Sequence, residues 1–155
     1  MQLEYFQLID RILDLNIVEK TITVEAQVPT TSTVFEGHFP GYPIMPGVLL
    51  LETMNHASGY LMLGLNGFSK LPFFAGTKRV KIKRFVTPGT LMKVRIDLVH
   101  EGSGFCMTSG EIKVGDEVVA EAEITMMLMN FPSEELAEEV RHRAAKVGFA
   151  LAQSA

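Results

Sequence analysis

Cysteine occurs only once in this sequence, at Cys106, so no internal disulfide can form and nothing points to an oxidising compartment. Its plainest reading is a small buried hydrophobe. The first residues, Met1 to Phe6, lack the basic segment and apolar run of a secretion signal, and no apolar stretch approaches the ~18 residues of a membrane span. The cytoplasm is therefore the expected location. Positive charge is in deficit: 14 Lys and Arg against 18 Asp and Glu leave a net charge of −4, which argues against a general nucleic-acid binder. A Walker loop, a dinucleotide fingerprint and a metal-ligating cluster are also missing, so neither cofactor nor metal is implied. What remains is ordinary for a globular protein, with 47% apolar and 21% charged residues. At 155 residues the chain is expected to form one domain, 1–155, able to bury about 68–70% of its unfolded surface in a single core.

The most informative stretch runs from Phe35 to Leu65. Pro40, Pro43 and Pro46 each fix φ and turn the preceding residue away from helix, so its first third reads as a loop. From Val48 onward the breakers stop, and Val48, Leu49, Leu50, Leu51, Met54, Ala57, Tyr60, Leu61, Met62 and Leu63 cover almost every face of a helix. Such a helix belongs inside the protein. Two residues here carry proton chemistry. His38, in the loop, is of the usual general-base type near neutral pH. Glu52 lies on the apolar helix, where desolvation is expected to raise its pKa and make it a proton donor. Between them, Gly47 opens the helix, where backbone N–H groups lack partners and the dipole favours negative charge. Base, acid and anion site together suggest elimination or addition beside a carbonyl.

The rest of the chain reads mainly as strands. Residues Phe6 to Val28 suggest a hairpin turning at Glu19-Lys20, with Ile22, Val24, Ala26 and Val28 alternating with polar residues. Gly64 to Pro72 reads as a loop. Phe73 to Val86 reads as a strand with Val80 and Ile82 on one face and Arg79, Lys81 and Lys83 on the other. Further strands are expected over Leu91 to Glu101, Gly104 to Val114 and Val118 to Met129, with a hairpin turn at Gly115-Asp116. One long buried helix with about five or six antiparallel strands makes an α+β domain. From Pro132 to about residue 150 an extra C-terminal helix is expected. Its glutamates come first, Arg141, Arg143 and Lys146 follow, and Leu136, Val140, Ala144 and Val147 share a stripe. Lys78, Arg79, Lys81, Lys83 and Arg84 form a basic cluster, either a solvated strand face or a docking patch for an acidic partner.

The segment G-H-F-P-G-Y-P-I-M-P-G from Gly37 to Gly47, with Glu52 fourteen residues after His38, resembles the 3-hydroxyacyl-(acyl-carrier-protein) dehydratases of the FabZ type. Phe74 to Gly89, F-A-G-T-K-R-V-K-I-K-R-F-V-T-P-G, is similar to a second block of that family, and Asp10-Arg11 to part of its first strand. The resemblance covers roughly residues 8 to 129. FabA-type isomerising relatives carry Asp where this chain has Glu52, which favours the simple dehydratase.

The resemblance implies the hot-dog fold, a sheet wrapped around the helix, and a (3R)-3-hydroxyacyl thioester on acyl carrier protein as substrate. It implies His38 as base at C2, Glu52 as acid for the departing hydroxyl, and the Gly47 N–H as donor to the thioester oxygen. His38 and Glu52 would come from opposite subunits of a homodimer, with a trimer of dimers left open. The acyl tunnel would draw on Phe39, Ile44, Met45, Leu49, Phe73 and Phe74. The only prosthetic group implied is the carrier's own phosphopantetheine arm, and the carrier's acidity favours docking at the basic cluster.

Departures from the family pattern are His56 for the usual Gln, Asn55 beside it, Phe85 for Pro and Thr90 for Asp. His56, four residues after Glu52, shares its helix face and would either hold the carboxylate or depress its pKa. The short N-terminus and extra C-terminal helix resemble a branch acting on very long acyl chains for lipid A. Two alternatives stand beside the dehydratase: a coenzyme A hydratase or thioesterase of the same fold, and a non-catalytic acyl-binding or partner subunit.

Overall fold

The computed structural model describes residues 1–149. A 3-10 turn (Leu3–Tyr5) precedes the hairpin β1 (Arg11–Asn16) and β2 (Thr21–Gln27). A short helix α1 (Thr33–Gly37) and the long helix α2 (Gly47–Asn66) follow. Then come β3 (Leu71–Ile82), β4 (Leu91–Gly102), β5 (Phe105–Val114), β6 (Glu117–Met129) and helix α3 (Glu134–Lys146). The six strands form one sheet in the order β1-β2-β4-β5-β6-β3, every neighbouring pair antiparallel. The expected α+β hot-dog architecture is the one observed: a single sheet packed on one long helix.

The alternation read in the sequence fixes which sheet face meets α2. Ile22, Val24 and Ala26 of β2 face Ile96, Val94 and Met92 of β4 in register, and all six are fully buried. Met54, Ala57, Leu61 and Met62 of α2, also fully buried, pack into this layer. Each of the larger side chains, Val, Ile, Leu or Met, contributes about 1.5–3 kcal/mol by leaving water. Two features fix where the helix crosses. At Gly110 of β5 a Cβ would stand 2.8 Å from Ile96 Cδ1 and 3.3 Å from Met54 Sδ, so a side chain there would push α2 away. Ser58, whose hydroxyl lies 2.9 Å from the Met54 carbonyl, meets the Thr108 hydroxyl at 2.9 Å inside the core, satisfying polar groups that burial would otherwise penalise.

Several boundaries differ from expectation for local reasons. Phe35 to Gly37 belong to α1, because the prolines that forbid helix begin only at Pro40. The expected loop from Gly64 to Pro72 shrinks, since α2 continues to Asn66 and ends on Gly67 at φ 63°. Pro72 instead enters β3, an edge strand, where a missing N–H is tolerated. The two-faced pattern of β3 is broken by a bulge between Lys78 and Lys81, with Arg79 at φ 54°, and the strand stops at Ile82 rather than Val86. The C-terminal helix lies within the expected range, of which residue 150 is outside the described residues.

The N-terminal turn anchors α1. One Glu4 carboxylate oxygen accepts from the Ser32 hydroxyl at 2.6 Å and from the backbone N–H and hydroxyl of Thr33 at 2.9 and 3.1 Å. These bonds, the Ser32 hydroxyl first, pull the Glu4 pKa from 4.5 to about 2. A depressed carboxylate stabilises the fold above its unfolded pKa, and that contribution fades as pH falls through the folded value. Glu4→Gln is therefore expected to lower the melting temperature near neutral pH, with the gap from wild type closing as pH falls from 4.5 toward about 2. Thermal melts across that range read it; a gap that ignores pH would mean the carboxylate charge is not what holds α1.

Candidate active site

His38 sits at the C-terminal end of α1, its N–H bonded to the Val34 carbonyl at 3.1 Å. The proline-rich loop after it is stitched together by backbone bonds. Ile44 N–H donates to the His38 carbonyl at 3.0 Å, Phe39 and Tyr42 bond reciprocally at 3.1 and 2.9 Å, and Met45 N–H reaches the Val86 carbonyl at 2.7 Å. The imidazole is oriented by the same loop: Nδ1 lies 3.1 Å from the Ile44 carbonyl, and the Phe39 ring stacks on it with centroids 4.2 Å apart. A carbonyl only accepts, so Nδ1 carries a proton, and in the neutral imidazole the lone pair is then on Nε2.

Gly47 is the first residue of α2, and Pro46 at the N-cap offers no side chain to the exposed N–H groups. A Cβ at Gly47 would stand 3.4 Å from Ile82, an ordinary contact. Within one chain, then, nothing steric demands glycine there. The helix start lies against the end of the edge strand β3.

Glu52 lines a cavity of about 430 Å³. Its α2 wall is Glu52, Asn55, His56, Gly59, Tyr60 and Leu63, spaced as one stripe along the helix. Opposite stand the N-terminal segment 6–9, the start of β3, Met126 and one face of α3. The carboxylate is held at two points, by His56 Nε2 at 2.8 Å and Asn55 Nδ2 at 3.3 Å. Because a carboxylate only accepts, the amide orientation of Asn55 is set. Its Oδ1 is left buried with no hydrogen-bond partner among the described residues.

The expected rise in the Glu52 pKa is corrected. The side chain is 32% exposed rather than enclosed. The His56 hydrogen bond, the largest influence, outweighs desolvation and, with the His56 charge and Asn55, holds the carboxyl below its ordinary value. Of the two roles His56 could take, it performs both: it orients the carboxylate and stabilises its charged form.

Phe73 and Phe74 line the cavity. The other residues expected there lie elsewhere: Phe39 stacks on His38, Ile44 and Met45 are buried in the loop's own packing, and Leu49 packs against the core. Tyr60, Leu63, Val140 and the segment 6–9 were missed, and only the spacing of Tyr60 and Leu63 behind Glu52 hinted at them. The basic cluster is largely compensated by β6. Lys78 and Arg79 reach Glu123 at 3.7 and 2.6 Å, Lys83 reaches Glu121 at 3.1 Å, and Arg84 pairs with Glu117. Lys81 alone of the five has no carboxylate partner among the described residues. His38 is not among the residues that line the cavity holding Glu52.

A family model described as the FabA-like domain matches residues 1–123. Curated relatives agree with it. The chain is 37% identical over 130 residues to a 3-hydroxyacyl-(acyl-carrier-protein) dehydratase FabZ of Rhizorhabdus wittichii, covering 82% of each chain. It is 38% identical over 124 residues to the protein of that name from Novosphingobium aromaticivorans, covering 78% of each. The chain belongs to the FabA-like dehydratase family. Among solved structures, a dehydratase heterocomplex, ApeI:P, from Xenorhabdus doucetiae superposes with a TM-score of 0.66 at 17% identity, over 87% of this chain and 90% of that one. At such identity it supports the fold alone. Family membership sets the chemistry against which His56 is judged. His56→Gln removes the charge beside Glu52 while keeping a donor, so Glu52 is expected to titrate at higher pH than in wild type. Carboxyl-carbon NMR reads this, and an unchanged titration would mean that Asn55 and solvent govern the group.

Proposed function

We propose that this protein removes water from (3R)-3-hydroxyacyl-acyl-carrier-protein, giving the trans-2-enoyl thioester, and that its catalytic pair is His38 and Glu52 drawn from two subunits. The observation that carries the reading is Glu52, a carboxylate bonded on both sides at one end of an apolar cavity. The relatives' activity supplies the substrate class. His38 Nε2 takes the C2 proton, and the electron pair moves toward the thioester carbonyl. The Gly47 N–H at the start of α2 meets the charge gathering on that oxygen, a preorganised donor whose loss costs ~100-fold or more in comparable sites. The C3–O bond breaks as the hydroxyl takes a proton from Glu52, and the new C2–C3 double bond and one water result. Because His56 holds Glu52 toward its charged form, the proton has to be retained within the Glu52–His56 pair. The carrier's phosphopantetheine is part of the substrate, and no other group enters the steps.

The two-subunit arrangement is supported by what one chain leaves uncovered. β3 is an edge strand whose outer N–H and C=O groups await pairing, and Val80, Ile82 and Phe85 are exposed along and just beyond it. Val48, 73% exposed at the start of α2, adjoins the same margin. A second copy set there would cover these groups and bring the partner subunit's His38 toward Glu52.

His38→Ala and Glu52→Gln are each expected to lower kcat/KM by about 100-fold or more, the scale of a lost general acid or base. Co-expressing the two inactive variants under separate tags and isolating the mixed species is expected to restore activity, because one site per dimer then keeps both groups. Mixed dimers as inactive as either parent would overturn the shared site; full activity of either single variant would overturn its catalytic role.

A further inference from the structure

α3 lies past the residues matched by the FabA-like model, which end at 123, yet it forms part of the cavity wall. Val140, Arg143, Lys146 and Val147 are the residues it contributes, and their spacing places them on one face. The helix is capped at its start and tied to the sheet at its end. The Ser133 hydroxyl accepts from the Leu136 N–H at 3.2 Å, and Ile12 of β1 donates to the Val147 carbonyl at 2.8 Å. Just beyond, the Phe149 ring meets Phe68 edge-on with centroids 5.0 Å apart. A Cβ at Gly64 would stand 2.9 Å from Leu15 and 3.1 Å from Phe149, so α2 and this end of the chain approach as closely as a glycine permits. The wall is thus tied down at its C-terminal end.

Its position relative to the reacting groups follows from α2. The stripe from Glu52 to Leu63 rises ~16 Å along the helix. Glu52 marks the chemical end. Tyr60 and Leu63 belong to the far end, and the close approach of Phe149, just past α3, to Gly64 of α2 places the C-terminal end of α3 there. An acyl chain whose C3 stands at Glu52 and whose tail follows the stripe therefore runs into α3. The volume, about 430 Å³, falls in the ordinary range for small-molecule sites of ~300–1,000 Å³.

We infer that α3 is the specificity wall of this site: Val140 and Val147 bound the distal end of the acyl chain and set which chain lengths the protein accepts. The inference rests on reading the cavity as the acyl site, and it assigns to this chain's own terminal helix a role that the matched family domain does not contain. Val140 is the position to alter, since it is half-buried, on the cavity face and outside the catalytic groups.

The test compares full-length wild type, Val140→Trp and Val140→Ala in two readouts. The first is kcat/KM on short-, medium- and long-chain 3-hydroxyacyl-acyl-carrier-protein. The second is displacement of a fluorescent fatty-acid analogue by free fatty acids of the same lengths, which needs no turnover. Val140→Trp is expected to lower the long-to-short preference about tenfold or more, the scale on which methylene-sized misfits discriminate, and Val140→Ala to raise it. A merely destabilised protein would lose all lengths alike, and the smaller side chain reports even where the larger one prevents folding. If neither readout changes its length preference with residue 140, the wall is overturned while dehydration can stand. If no thioester is turned over but fatty-acid length preference still shifts, the wall stands and the reaction assignment falls.

Discussion

A helix that must fill a core and line a cavity cannot be apolar on every face, and most of this structure follows from how α2 divides those duties. Met54, Ala57, Leu61 and Met62 face the sheet and are fully buried. Glu52, Asn55, His56, Gly59, Tyr60 and Leu63 form the stripe left uncovered by the sheet. The division is enforced from both sides. Gly110 lets β5 approach, the Ser58–Thr108 contact fixes the helix's rotation, and a turn of α2 in either direction would bury the carboxylate or expose methionine. Catalytic geometry and core packing are thus one constraint.

The electrostatics of the stripe follow from its half-open position. A fully enclosed carboxyl would be pushed toward its neutral form, but Glu52 keeps enough contact with solvent for the bond from His56 to prevail. His56 therefore exchanges acid strength for placement: it holds the carboxylate in one orientation and favours its charge. Asn55 does the same from the other side while keeping one buried acceptor unpaired. Two donors on a single carboxylate leave it one orientation at the cavity wall.

Much of this was legible in the sequence, and what was not has a physical cause. β2 and β6 were readable because one face of each is wet and the other dry, so polarity alternates with the pleat. β3 was not, because an edge strand with a bulge at Arg79 has no consistent inner face. The basic cluster read as unbalanced because its partners, Glu117, Glu121 and Glu123, lie some forty residues away and meet it only through the β3–β6 register. His38, Gly47 and Glu52 stood out by type and spacing. The cavity wall did not, since Val140 and Tyr60 are ordinary apolar and aromatic residues until folding sets them around one space. The Glu52 pKa was misread for a related reason: the sequence reveals that a helix is buried, but not which stripe remains open.

The unpaired edge of β3 and the placing of His38 outside the Glu52 cavity are two aspects of one arrangement. An exposed strand edge flanked by Val80, Ile82 and Phe85 is a liability in a lone chain, because it offers a template for any other strand. It remains tolerable where a specific copy occupies it. His38 stands on a loop tied to that margin through the Met45–Val86 bond, and the helix start at Gly47 abuts Ile82. Closing the edge with a second chain would thus protect the strand, shelter the helix start from water and, on the proposed mechanism, bring His38 toward Glu52 in one association. A single weak point in the fold would then account for both the assembly and the chemistry.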